Sequence, residues 1–269
     1  MPLQDVKRNI PIPGTDRNVH GVLREVPGAP MVVFSHYLTG GKNSLEYYTG
    51  ARALSNAGFS SYRFDYYGSG DDQRKLNDGT IHTHGADLDL VIRTLRQDDE
   101  DRAVAVVGHS LGALAILVSE ERRYDLAVFW DGTHSGWWQH GEDESRDPYD
   151  FSDQWTTWDP AISLYRMEGG GYETLVSRDY LAAYRTLDCD ALARQVSVPV
   201  ALFVAGEGVL QQTSQRYREA FMGPTDLITV EGADHGFKNG ETLATLHQET
   251  VGWLTARIEE LSGRHGDRA

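Results

Sequence analysis

Six short apolar runs recur along the chain, at residues 31–34, 60–65, 103–108, 126–130, 200–204 and 227–230. Each is continuous rather than alternating, the pattern of a strand covered on both faces. Longer segments with helical spacing lie between them, at 44–57, 86–97, 113–122, 212–221 and 243–261. The first ends at Gly58, a natural C-terminal stop, and the second carries Leu88, Leu90, Val91, Ile92 and Leu95 on an apolar face. This alternation predicts an α/β fold: a mostly parallel central sheet with helices on both faces. Residues 6–12 and 19–26 predict an antiparallel hairpin at its edge.

The rhythm breaks between Gly132 and Cys189. Here lie Trp137, Trp138, Trp155 and Trp158, the acidic run Glu142-Asp143-Glu144 and Gly169-Gly170-Gly171. A stretch this long is not expected to be structureless inside a compact domain. The expected organisation is a core of residues 1–131 and 190–269, interrupted by an aromatic-rich, mostly helical cap at 132–189.

Composition narrows the chemistry. A chain of 269 residues buries roughly three-quarters of its unfolded surface and needs no staple. Its one cysteine, Cys189, excludes an internal disulfide and a cysteine-rich zinc site. Forty acids against 25 bases give a net charge of −15, which disfavours nucleic acid and anionic membranes as partners. No run has the length of a membrane span, and the first residues lack the apolar core of a signal peptide. The expectation is a soluble, cytoplasmic protein acting on a small molecule. With no H-E-x-x-H and no P-loop, neither cofactor nor metal is expected. The sequence carries no signal for oligomeric state.

Gly108-His109-Ser110-Leu111-Gly112 fits G-x-S-x-G between an apolar strand and a helix. A tight turn there exposes the serine hydroxyl beside a helix N-terminus, so Ser110 is the expected nucleophile. His109 reads as a packing residue of the turn. Acyl transfer also needs two backbone N–H donors for the oxyanion. Leu111 follows the nucleophile, and Leu38, with Tyr37 as alternative, lies in the loop after the first buried strand. Gly232-Ala233-Asp234-His235-Gly236-Phe237 follows the last apolar strand, and the order serine before histidine makes His235 the expected base.

The motifs resemble the α/β hydrolases, in particular their serine aminopeptidase-like and cinnamoyl (feruloyl) esterase-like branch. Ser35-His36-Tyr37-Leu38-Thr39-Gly40-Gly41-Lys42 is similar to that branch's H-G-F-x-G-x-K loop. Arg63-Phe64-Asp65-Tyr66-Tyr67-Gly68-Ser69-Gly70 is similar to its R-x-D-x-x-G-x-G turn, and the resemblance implies a structural role for Asp65. Two departures stand out. Tyr37 replaces a frequent glycine, and its ring would narrow the loop or line the acyl pocket. The family's usual G-x-x-D reads Gly206-Glu207-Gly208-Val209 here, leaving no aspartate at its usual place.

Two carboxylates could orient the base. Asp131 ends the fourth apolar run, and Glu207 lies on the Gly206 loop. Asp131 is preferred because a strand end is rigid, and Glu207 remains the alternative. Trp137 and Trp138, directly after a core strand, are expected to cover the site and to favour an apolar or aromatic acyl group. The leading expectation is hydrolysis of a carboxylic ester through an acyl-enzyme. Acyl transfer, thioester hydrolysis or cyclisation would use the same residues. A non-catalytic ligand-binding role is the third reading, motivated by the displaced acid.

Overall fold

The computed structural model describes residues 3–135, 156–169 and 172–266. The N-terminal hairpin is split in two. Strand β1 (Asp5–Lys7) pairs with β4 (Gly21–Arg24), while β2 (Ile10–Pro11) pairs with β3 (Asn18–Val19). Strand β5 (Met31–Ser35), helix α1 (Leu45–Asn56), β6 (Ser60–Phe64), α2 (Ile81–Asp98), β7 (Val104–His109), α3 (Leu111–Val118) and β8 (Leu126–Trp130) follow. After the interruption come α4 (Arg178–Thr186), α5 (Cys189–Ala193), β12 (Val200–Ala205), α6 (Gln211–Ala220), β13 (Thr225–Val230) and α7 (Gly240–Gly266).

The main sheet has eight strands in the order β1-β4-β6-β5-β7-β8-β12-β13. From β6 to β13 the pairings are parallel, and β1 and β4 form the antiparallel edge. Apolar clusters fill both faces. One packs Val33, Val106 and Phe129 under α2 and α3, and the other packs Phe34, Val107 and Trp130 under α1 and α7. Every residue of α3 is buried, which is why its sequence, Leu-Gly-Ala-Leu-Ala-Ile-Leu-Val, is apolar all round. Among the described residues no helix is long and apolar enough to cross a membrane.

From residue 156 on, the described part of the inserted segment departs from the mostly helical expectation: an antiparallel sheet of β9 (Thr156–Asp159), β10 (Leu164–Gly169) and β11 (Tyr172–Val176) precedes α4. The reason is local. Threonine, tryptophan, tyrosine and valine favour strands. Ser163, at φ 56°, closes the turn between β9 and β10. The sheet is tied to the core: Asn77 Nδ2 donates to Ile162 O (3.0 Å) and Ser163 O (2.9 Å), and Ser177 Oγ to Gly79 O (2.6 Å).

Burial also sets an acid limit. It lowers the pKa of His84 and His109 to about 3 and that of His247 to about 4, from an ordinary 6.5. The unfolded chain therefore binds protons first as pH falls. The stabilisation from these neutral histidines is complete above pH 6.5 and is lost between there and about pH 3 to 4. The urea midpoint should fall steadily from pH 7 to pH 5, and an unchanged midpoint would contradict this account.

Candidate active site

Ser110 lies between β7 and α3 with φ 53° and ψ −115°. For a residue with a side chain this conformation costs on the order of 1–3 kcal/mol. Close packing on both sides holds it. A Cβ on Gly108 would sit 2.7 Å from Ala113 N, and one on Gly112 would sit 2.1 Å from Ser35 O. Ser110 N–H donates to Trp130 O at 3.0 Å, joining the turn to the end of β8.

His235 is on the loop between β13 and α7. Its Nε2 is 2.9 Å from Ser110 Oγ, and its Nδ1 is 2.6 Å from Asp131 Oδ2. Asp131 is fully buried and has φ 43°. Its N–H donates to Phe203 O (2.7 Å), and its Oδ1 accepts from Ala205 N–H (3.1 Å). Thus β12 holds one carboxylate oxygen and His235 the other, which satisfies a group that would be costly to bury alone. Glu207 is exposed on the neighbouring loop, with its N–H bonded to Ala233 O (2.9 Å). Val209, where the resembling family carries its acid, is 67% exposed.

The loop after β5 distinguishes Leu38, the expected oxyanion donor, from its alternative Tyr37. Tyr37 N–H already donates to the Tyr47 hydroxyl at 3.0 Å. Leu38 N–H has no protein partner among the described residues. Its peptide plane is fixed through Tyr37 O, which accepts from His36 Nδ1–H (2.7 Å) and Gly40 N–H (2.9 Å). His36 Nε2 in turn accepts from Tyr66 N–H at 3.2 Å. Leu111 N–H is in the first turn of α3, where backbone donors lack helical partners. The Tyr37 ring packs edge-on against His109, with centroids 5.0 Å apart.

Sequence reasoning missed three contributors. Thr133 Oγ1 is 3.0 Å from Ser110 Oγ, and Thr133 N–H donates to Ser110 O at 3.1 Å. Its carbonyl accepts from the buried Tyr217 hydroxyl (2.6 Å). Tyr47 and His36 touch the oxyanion loop as just described. The Asp131-Gly132-Thr133 run was the available signal for Thr133, since a residue two beyond a strand-end acid shares its loop. Nothing local marks Tyr47, which comes from α1.

Asp65 holds the second glycine-rich turn. It accepts from Lys42 N–H (2.8 Å) and Asp71 N–H (3.0 Å) and pairs with Lys42 Nζ. A cavity of about 340 Å³ opens beside Leu38, between the oxyanion loop and β11, with Leu76, Leu175, Val176 and Tyr180 in its wall. Trp137 and Trp138 lie outside the described residues. Among the described residues no group of three or more His, Cys, Asp or Glu is arranged to hold a metal ion. A serine, imidazole and carboxylate joined in this way can perform nucleophilic acyl transfer.

The family model of serine aminopeptidases (S33) matches residues 29–128. No curated protein matches the chain. Among solved structures, Est1E from Butyrivibrio proteoclasticus with bound ferulic acid superposes with a TM-score of 0.74 at 16% identity, over 94% of this chain and 99% of that one. A dienelactone hydrolase from Anabaena variabilis gives 0.68 at 16% identity, over 95% of this chain and 99% of that one. The mouse α/β hydrolase domain-containing protein 10 gives 0.70 at 15% identity, over 95% and 99%. The chain thus shares the fold of these α/β hydrolases, and its residues 29–128 are similar to the serine aminopeptidases.

Proposed function

We propose that the protein hydrolyses carboxylic esters with small apolar or aromatic acyl groups, through an acyl-enzyme on Ser110. The observation that carries this reading is the unbroken chain from Ser110 Oγ through His235 to the buried Asp131. Ser110 Oγ attacks the ester carbonyl carbon as His235 Nε2 takes its proton. The oxyanion accepts from Leu38 and Leu111 N–H. The tetrahedral adduct collapses, and His235 returns the proton to the departing alcohol. Water then attacks the acyl-enzyme with His235 as base again, releasing the acid and restoring Ser110.

The imidazole of His235 is 44% exposed. Water therefore has a route to the acyl-enzyme, which favours hydrolysis over acyl transfer. Leu76, Leu175, Val176 and Tyr180, in the otherwise mixed lining of the cavity beside Leu38, support the assignment of the acyl group. Est1E with its ferulic acid and the dienelactone hydrolase lend support from shared fold alone.

A fluorophosphonate probe and short-chain nitrophenyl esters test the reading together. The protein should be labelled and should turn over the esters, and Ser110→Ala should lose both. Hydrolysis that persists in Ser110→Ala would overturn it.

A further inference from the structure

Three of the residues that present site groups follow an aromatic residue, half-buried in the case of Tyr37 and buried in the case of His109 and Trp130. Tyr37 precedes Leu38, His109 precedes Ser110 and Trp130 precedes Asp131. These three rings converge on one more, Tyr47 of α1. Tyr47 lies 6.0 Å from Tyr37, 6.2 Å from His109 and 6.3 Å from Trp130, centroid to centroid. Tyr47 and His109 are also joined by hydrogen bonds that run through the cluster. Tyr37 N–H meets Tyr47 Oη at 3.0 Å, Tyr47 Oη meets His109 Nδ1 at 3.2 Å, and His109 Nε2 meets His235 O at 3.0 Å.

The two ends decide the direction of every link. A backbone N–H can only donate, and a carbonyl can only accept. His109 must therefore carry its proton on Nε2, facing His235 O, which leaves Nδ1 as an acceptor. Tyr47 then donates to Nδ1 and accepts from Tyr37 N–H. Burial keeps His109 neutral near neutral pH, with a pKa lowered to about 3. Tyr47 is 0% exposed and His109 1%, so water cannot replace a lost partner, and a broken link leaves a buried group unsatisfied.

We propose that Tyr47 and His109 are positioning residues, a buried relay that sets the oxyanion loop and the base His235 in register with Ser110. The proposal rests on the ester-hydrolase reading above. It gives His109 a role beyond packing. It also explains why the Tyr37 N–H is held inward: the same bond fixes the loop from which Leu38 N–H is free to meet the oxyanion. The transition state needs donor and base at once, so a small shift at either end lowers turnover more than substrate binding.

Tyr47→Phe keeps the ring and removes the relay's central hydroxyl. It should fold, lose roughly 10²-fold in kcat and leave KM nearly unchanged. His109→Phe should lose a similar amount. The double variant should be little worse than either single one, because each breaks the same chain. Tyr62→Phe is the control. Tyr62 is another fully buried tyrosine, donating to Arg8 O at 2.7 Å far from the site, and its loss should lower stability while sparing kcat. A Tyr47→Phe variant with wild-type kcat, or single effects that simply multiply in the double variant, would overturn the relay. Nitrogen-15 NMR of the histidine rings supplies a readout independent of activity. His109 should be neutral with its proton on Nε2 from pH 6 to pH 8, and a proton on Nδ1 would overturn the relay whatever the kinetics. Failure of the wild-type protein to hydrolyse any ester, with that NMR signature intact, would instead count against the ester-hydrolase reading.

Discussion

Asp131→Asn should lower kcat by roughly 10⁴-fold while Glu207→Gln stays near wild type. The asymmetry follows from the hydrogen bonds. His235 Nδ1 donates to Asp131 Oδ2 at 2.6 Å, while Asp131 Oδ1 is held by Ala205 N–H. An amide in place of the carboxylate either presents its NH₂ to His235 or turns it towards Ala205 N–H. The first choice forces the wrong imidazole tautomer and takes the acceptor away from Ser110. The second sets two donors against each other inside a fully buried pocket. In both cases the imidazolium formed during attack loses its counter-charge. Glu207 is exposed, and among the described residues only its backbone is bonded, to Ala233 O. The check is steady-state kinetics on a nitrophenyl ester with both variants purified and their folding verified by circular dichroism. Equal, small losses in both variants would refute Asp131 as the orienting acid.

Gly112→Ala should damage stability and activity together. The added Cβ would fall 2.1 Å from Ser35 O and 2.7 Å from Ser35 Oγ. The near atom is backbone at the end of β5, a central strand, so neither side can yield cheaply. Ser35 Oγ also donates to Gly112 O at 2.7 Å, and separating the chains would break that bond. Overpacking of this kind costs typically 1–3 kcal/mol. Because β5 leads into the oxyanion loop and Gly112 follows Leu111, the displacement is delivered to both donors. A loss of roughly 10²-fold in kcat should accompany the fall in stability. Gly252→Ala in α7 is the useful contrast. A Cβ there meets nothing within 4 Å, so alanine should be neutral or stabilise by up to about 1 kcal/mol. Urea unfolding of the two variants measures the difference.

Much of this architecture is legible in the sequence, for a physical reason. Strands buried on both faces are mostly apolar, as in β5, β7, β8 and β12, while β6 buries Ser60, Ser61 and Arg63 and β13 is only partly buried. The turn at Ser110 is legible because two glycines are needed where chain meets chain at backbone contact. Helix α2 is less so. It begins at Ile81 rather than near residue 86, because Thr80 and Thr83 cap it reciprocally while His82, Thr83, His84 and Gly85 are poor helix formers. The sheet of β9 to β11 is concealed by the aromatic and glycine content of its segment. The sequence favours Asp131 over Glu207 only for its strand-end position, and the two separate further once β8 and β12 pair, bringing Ala205 N–H to the aspartate. Tyr47 acts through partners on other elements, and no spacing rule reaches it.

The loop that leaves β8 carries Asp131 and Thr133 and then enters the inserted segment. Its next residues grip the segment's far end: His134 Nε2 meets Asp190 Oδ1 at 2.8 Å, and Ser135 Oγ donates to Leu187 O at 2.6 Å. Arg216 of α6 clamps the same Asp190 at 2.7 Å. The insertion is therefore closed at its root like a stoppered flask, and the stopper is continuous with the acid. Exchanging specificity between members of this fold by grafting whole insertions would tear that closure if the cut were made at the strand end. A transplant that begins beyond Ser135 and stops before Leu187 leaves acid, threonine and stopper in their native setting, and so makes the segment a replaceable module.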